Sequence, residues 1–456
     1  MLAAFGFVTV FLTLILMLSK KLSPTATLII VPIVMCLIAG LTGNIAFEEE
    51  PNGILGRIAA SVSSSGDFAV SGVASVAATT VMFIFAIIFF NSMMDAGAFD
   101  PIINAAIRFA GNSPVKISIA TVILAYIGHL DGNGITTTII TCSAMLPIYR
   151  RMHMKQLNLI IICALSQGLM NICPWGGPTL RVMTAYDASM SEVFNPLIVP
   201  MVGGTVVIVM IAVLMGRADA RRIAAMTPAE LATAVGGGEV QGMDHDEELK
   251  RPHLVVFNLI LIVVVLVAMV LEWIAPCPAM MIGAIIGLLV NYPNLQLQSK
   301  LISKYGSLAM NMATIMFAAG VFTGILNNSG MLIAMAEALA AAIPTSIGAF
   351  TPIIIGVIGV PASQIFTPDA WYYSILPTLT SAVAGAGVDP LSVARASLLG
   401  QMTLGFPGSP LLAGSFLLPA MINMDFPEYQ KKWLPYAWGV SLVMLIVALI
   451  SGCVTL

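Results

Sequence analysis

The chain has 456 residues, of which 59% are hydrophobic and 9% charged, with a mean hydropathy of +0.98. A water-soluble domain of that composition would have more apolar surface than it could bury, so a soluble fold is excluded and a polytopic membrane protein is expected. A formal net charge of −3, with no basic cluster on an exposed domain, gives nucleic acid nothing to bind.

The first apolar run, 2–18, has no basic residue before it and ends in Lys20-Lys21. That is the reverse of a signal peptide, and it reads as a retained first helix. Runs at 24–42 and 68–94 follow, then a short amphipathic segment, 98–110. The next stretch, 115–148, is interrupted by HLDGNGITTT, His129 to Thr138. Lys116 flanks one end and Arg150-Arg151 the other, so both ends belong on one side. This predicts a re-entrant hairpin with His129 to Gly134 at its tip, buried in protein as irregular backbone at membrane depth must be. The stretch 155–190 predicts a helix broken at PWGGPTLR, Pro174 to Arg181, and a run at 194–215 completes the first half.

A polar linker, 216–252, carries a GGG triplet and the acidic run DHDEE. It reads as a solvated connector, with His245 and its acidic neighbours a charge run rather than a metal site. The second half repeats the order of the first. Runs at 254–272, 277–292 and 305–326 precede an amphipathic segment at 331–343 and a hairpin at 347–377, interrupted at FTPDAWYY. A helix at 391–424, broken at FPGSP, and a run at 435–454 complete it. The six cysteines have no metal-type spacing and nearly all fall inside apolar segments, as small core hydrophobes do.

A shift of 233 residues lays Gly97 on Gly330 and Pro174 on Pro407. The chain therefore reads as an internal duplication, 1–215 and 253–456, joined by the linker. Paired Gly/Pro interruptions in corresponding segments are the best sequence pointer to the substrate site of a secondary transporter. Five crossings per half is an odd number, so the second half is expected upside down relative to the first. With both termini outside and the linker cytoplasmic, all of the 19 Lys and Arg except Arg57, Arg395 and Arg181 fall on the cytoplasmic side, as the positive-inside rule requires. The expected fold is all-α, an inverted-repeat transporter with two re-entrant hairpins and two broken helices. Its expected location is the bacterial inner membrane.

Asp131 sits at the first hairpin tip between Leu130 and Gly132. An ionised carboxylate inside a membrane costs at least ~2.5 kcal/mol, so either it has a cation, proton or solute as partner, or it caps the return helix. Asn133, Thr136, Thr137 and Thr138 add neutral oxygens suited to hard cations. His129 reads either as a proton relay or as a histidine satisfied within the hairpin. In the broken helix, Pro178 fits a first turn, Gly176 and Gly177 offer backbone amides, and Thr179 and Arg181 follow. A half-helix N-terminus with an arginine suits carboxylates; otherwise Arg181 snorkels outward or pairs with Asp187. Gly408 and Ser409 make a neutral counterpart in the second half, or a plain proline kink. Thr367 and Asp369 mirror the first hairpin tip. Gln167, Asn171 and Gln401 read as amide contacts or ordinary interhelical bonds, and Trp371, Tyr372 and Tyr373 as packing or interfacial belt. A channel would need a ring of like residues around a pore, and no nucleophile, base and orienter set suggests an enzyme.

The segments LDGNGITTTIITCSAMLPIYRRM (130–152), NICPWGGPTLR (171–181), TPDAWYYSILP (367–377) and the pair Gly400-Gln401 with Gly408-Ser409-Pro410-Leu411 resemble the citrate/divalent-metal:proton symporter family of the ion transporter superfamily. The resemblance implies proton-driven import of citrate complexed to a divalent cation such as magnesium, calcium or zinc, with no resident cofactor. It also implies a homodimer working as an elevator. By the family pattern, Asp131 and Asp369 match positions that hold the metal or coupling ion, and the Gly176 to Arg181 turn matches the substrate turn; the residues themselves add Asn133 and Thr367 to the metal or coupling-ion set, and Thr136, Thr137, Gly408 and Ser409 to the substrate set. Two positions depart from it. Asn133 stands where a second acid is common, and Pro368 where a polar residue usually precedes the aspartate. A free di- or tricarboxylate taken up with sodium or protons is the alternative.

Overall fold

A computed structural model describes residues 1–19, 21–45, 47, 52–226, 247–271, 273–340, 348–384 and 387–455. His245 and the acidic residues Glu48 to Glu50 lie outside them. Among the described residues every regular element is helical.

The first half runs α1 (Leu2–Leu18), α2 (Pro24–Leu41), α3 (Gly53–Asp95), α4 (Asp100–Ala110), α5 (Pro114–Gly128), α6 (Gly134–Arg151), α7 (Gln156–Met170), α8 (Gly177–Tyr186) and α9 (Ile198–Ala224). The second runs α10 (Val255–Val270), α11 (Pro276–Asn291), α12 (Leu295–Asn328), α13 (Met331–Ala340), α14 (Thr351–Ala362), α15 (Leu376–Ala384), α16 (Pro390–Leu398) and α17 (Phe426–Ile450). Among the described residues, five helical stretches are long and apolar enough to cross a membrane: 24–41, 53–95, 190–224, 252–270 and 426–450. A sixth is α12 if its two arms, bent by 52° between Ser307 and Met312, count as one span.

The 43-residue α3 begins earlier than its apolar run, at Gly53 rather than 68. Its polar first turns are self-satisfied: Ser61 Oγ donates to Arg57 O (2.7 Å) and Ser65 Oγ to Val62 O (2.9 Å), so hydroxyls do not interrupt the helix. α3 packs antiparallel along α12, with Asp95 receiving hydrogen bonds from Lys304 (2.8 Å) and Tyr305 (2.6 Å) at one end. Toward the other end the two backbones touch. A Cβ on Gly324 would lie 2.5 Å from Phe68 O, and one on Gly320 2.6 Å from Gly72 O. Only glycine permits that approach, the small-residue mode of packing in lipid.

Several helices of the two halves pack in matching ways around this pair. α2 lies against α12 and α11 against α3; α5 contacts α7 and α9, as α14 contacts α16 and α17. The halves also interlock. Asn171 Nδ2 donates to Met402 O (2.8 Å) across 231 positions, and a Cβ on Gly168 would sit 2.9 Å from Thr403 O.

The first interrupted stretch is an antiparallel pair: Thr121 Oγ1 meets Tyr149 Oη at 3.2 Å, and Thr137 Oγ1 donates to Gly128 O at 3.1 Å. In the second, α14 packs on α16 and α17 while the return arm α15 packs on α13. The second broken helix also differs from its counterpart. After α16 ends at Leu398, residues 399–416 are turns and two short 3-10 segments, with a four-residue helix at Leu417–Ala420. Gly400, Gly405, Pro407, Gly408 and Pro410 deny a helix both its conformational restriction and its amide donors.

Candidate substrate site

The first hairpin tip is held by its own side chains. α5 stops at Gly128, Gly132 takes φ +72°, and Asn133 is the N-cap of α6, its Oδ1 accepting from the amides of Ile135 (2.9 Å) and Thr136 (3.4 Å). Asp131 therefore does not cap the return helix. Its Oδ1 instead accepts from the Asn133 amide at 2.8 Å, an Asx-turn that fixes the carboxylate. His129 is satisfied within the protein, Nδ1 on Thr137 Oγ1 (2.8 Å) and Nε2 on Asn171 Oδ1 (3.4 Å).

The first broken helix turns through 171–176. Gly176 is the N-cap of α8; a side chain there would collide with Asn171 O. Its amide donates to Cys173 O at 2.7 Å and so is already used in the turn. Gly177 and Pro178 open α8, leaving the positive end of the helix facing the space in front of it.

Arg181 does not pair with Asp187, which ends α8 in the left-handed conformation. Its partner is Asp369. Arg181 Nε (2.8 Å) and Nη2 (2.7 Å) both reach Asp369 Oδ1, and both side chains are 9% exposed. Arg181 Nη1 folds back over Gly177, where a Cβ would lie 2.9 Å from it. Thr367 is the N-cap before Asp369, accepting from the Ala370 amide (3.3 Å), and a π-turn follows at Trp371–Ile375. Trp371, Tyr372 and Tyr373 are buried packing; Trp371 Nε1 donates to Ser397 Oγ (2.8 Å) and Tyr372 Oη to Gln401 O (2.7 Å).

These elements surround a cavity of about 300 Å³. Asp131, Gly132, Asn133 and Gly134 of the hairpin tip line it. Gly177, Pro178 and Arg181 of α8 line it too, with Pro368 beside Asp369. An acid and a helix N-terminus with an arginine thus share one space, an arrangement able to hold a cation together with an anion. Thr137, Thr179, Gly408 and Ser409 do not line it. Thr137 staples the hairpin through Gly128 O, Thr179 Oγ1 donates to Ile172 O (2.8 Å), and Ser409 Oγ donates to Ser363 O (2.6 Å). Gly408 is pressed against the Trp433 ring, which leaves no room for a Cβ.

The family model of the citrate transporter matches residues 10–400. The chain belongs to the citrate transporter family. Two curated relatives from Bacillus subtilis (strain 168) align over the whole of both chains: a citrate transporter, 36% identical over 463 residues, and a Mg(2+)/citrate complex secondary transporter, 33% identical over 456 residues. Among solved structures, the YdaH transporter of Alcanivorax borkumensis covers 93% of this chain and 97% of its own, with a TM-score of 0.56 at 12% identity. MtrF of Neisseria gonorrhoeae covers 94% of each chain with a TM-score of 0.54 at 14% identity. These two share the fold. A member of this family is a multi-pass membrane transporter and not an enzyme.

In this citrate transporter family member, the cavity also takes residues that sequence reasoning passed over. Asn91 on α3 and Met312 on α12 form its far wall, with Phe83 and Ile87, while Trp175, Met402, Phe406 and Leu412 close the remaining sides. Asn91 and Met312 sit within long helices, and Met312 follows the α12 bend. The bend carries no proline or glycine pair; Gly306 alone precedes it.

Proposed function

We propose that this chain is a secondary active transporter that imports citrate, or a closely related di- or tricarboxylate, as a complex with a divalent cation by proton symport. The observation that carries the reading is the two-signed cavity, with Asp131 and Asn133 on one side and the α8 N-terminus with Arg181 on another. The metal would rest on the hairpin-tip oxygens, hard ligands for a hard cation, and the carboxylates on α8 and Arg181. A relative spanning the whole chain is a Mg(2+)/citrate complex transporter, which favours the complex over the free acid. Neutralising the site's charges lowers the cost of carrying them through the bilayer, so a loaded site moves and an empty one does not.

The matched packing of α5 with α7 and α9, and of α14 with α16 and α17, supports a structural repeat; its inversion, and hairpins that enter the membrane without crossing it, rest on the Lys and Arg distribution and the family resemblance. We place both termini outside and the linker in the cytoplasm of a bacterial inner membrane, on the Lys and Arg distribution. A homodimer with elevator motion completes the reading, by family resemblance. The second reading, sodium- or proton-coupled uptake of the free carboxylate, draws on Asn133, which supplies one charge fewer than a second acid would.

The test is uptake of radiolabelled citrate into proteoliposomes under an inward proton gradient, with magnesium, calcium, zinc or chelator in parallel. Metal-stimulated uptake is expected. Uptake that persists in chelator and follows sodium would establish the second reading; no uptake of citrate or any of a carboxylate panel would overturn both.

A further inference from the structure

The cavity is shared between two walls. Asp131, Asn133 and Arg181 belong to the hairpin tip and the first broken helix, whereas Phe83, Ile87 and Asn91 belong to α3 and Met312 to α12. Positions 83, 87 and 91 recur at helical spacing, so a single stripe of α3 faces the site. Two members of that stripe are apolar and the third is an amide.

Asn91 is fixed by its own helix. Its Nδ2 donates to Ile87 O, one turn back, at 2.9 Å. Only the nitrogen of an amide can donate to a carbonyl, so this bond also settles which end of the side chain is which. Oδ1 accepts from no other residue among those described. Asparagine at membrane depth ordinarily bonds across to a neighbouring helix; this one does not. It gives the cavity one oriented acceptor on an otherwise apolar wall.

That wall is also the stationary one. α3 and α12 meet backbone to backbone at Gly72, Gly320 and Gly324, and in the elevator reading the hairpins and broken helices move against such a pair. Asn91 lies one turn, about 6 Å, from Asp95. Beside Asp95, Ala96 O accepts from the amide of Arg251 (2.9 Å) at the end of the linker, so this end of α3 is the cytoplasmic one in the topology given above.

We propose that Asn91 Oδ1 is a cargo contact made only in the cytoplasm-facing state, accepting a hydrogen bond from an O–H group of the cargo and losing it when the loaded site moves away. This rests on the transporter reading with its elevator motion. Carboxylate oxygens only accept, so the donor is the hydroxyl of a hydroxycarboxylate such as citrate, or a water held on the metal, several of which magnesium retains. The hairpin tip and α8 travel with the cargo and serve both faces equally. A contact from the stationary wall serves one face and makes the two affinities differ.

The experiment measures citrate uptake, with magnesium present, into right-side-out and inverted membrane vesicles carrying Asn91→Ala or Asn91→Leu. Both substitutions remove the oxygen, but only leucine keeps the bulk, so loss of the acceptor must show in both. The amide bond lost lies within α3, and both replacements favour a helix. The ratio of the apparent KM in inverted vesicles to that in right-side-out vesicles is expected to change by about two- to tenfold, the worth of one neutral hydrogen bond, with the weaker binding on the cytoplasmic face. A merely structural amide would move both KM values together. An unchanged ratio, a ratio changed by leucine alone, or failure of both variants to insert would overturn the proposal. Repeating the measurement with tricarballylate, which lacks the hydroxyl of citrate, assigns the donor: a change for citrate alone points to the hydroxyl, and a change for both to metal-bound water. Citrate uptake by the unsubstituted protein in the same vesicles tells a failure of this proposal from a failure of the transporter reading.

Discussion

Arg181 and Asp369 stand 188 positions apart, one in each half of the chain, and meet on a single carboxylate oxygen through an Nε hydrogen bond of 2.8 Å and an Nη2 ion-pair contact of 2.7 Å. A buried pair of this kind adds little net stability, but deleting one partner strands a charge, at about 3–5 kcal/mol. Arg181→Ala is therefore expected to abolish citrate uptake and lower thermal stability in detergent, whereas Arg181→Ala with Asp369→Ala should recover most of the stability and none of the uptake. Normal uptake by the single variant would remove Arg181 from the site.

Asp131 is fixed by the Asn133 amide but makes no hairpin cap. Asp131→Asn keeps an acceptor for that amide, so membrane insertion should be normal while uptake is lost or uncoupled from metal and protons. Uptake with unchanged metal and pH dependence would take Asp131 out of the coupling role.

Asn133 caps α6 while lining the cavity. Aspartate caps as well as asparagine does, so Asn133→Asp should fold normally and add a metal ligand. The measurement is the apparent affinity for magnesium at fixed citrate, expected to tighten. Asn133→Ala should cost the cap about 1 kcal/mol and lower uptake.

Gly134 lies against the Phe406 ring with no room for a methyl group. Gly134→Ala should reduce uptake without preventing insertion, and Gly134→Ala with Phe406→Leu should recover part of it. Gly177→Ala tests the other close approach: its Cβ would fall 2.9 Å from Arg181 Nη1, so affinity for citrate should fall. An unaltered apparent KM would show that the guanidinium position does not matter to binding.

The interruptions were legible because they are made of glycine, proline and short polar side chains, whose backbone consequences are local. So were the breaks around Asp131, at 171–176 and at Thr367. The partner of Arg181 was not legible, because pairing across 188 positions depends on how the halves dock. Asp187 is as suitable by proximity in sequence, but it lies exposed at the C-cap of α8 while Arg181 is buried on Asp369. Asn91 and Met312 left no trace because they lie in long apolar helices, and a cavity wall needs no unusual residue. Thr137, Thr179 and Ser409 look like ligands in sequence, yet their hydroxyls satisfy nearby carbonyls, the commonest use of such groups in a helical interior.

The crossing of α3 and α12 at Gly72, Gly320 and Gly324 has a further consequence. Side chains at an ordinary helix contact can change rotamer and let their helices slip past one another; bare backbone has nothing to rearrange. A joint built this way has one seating. Any displacement that carries cargo must be absorbed around it, by the shorter helices and their breaks, and a single alanine at Gly72 would unseat the joint although Gly72 itself does not line the cavity.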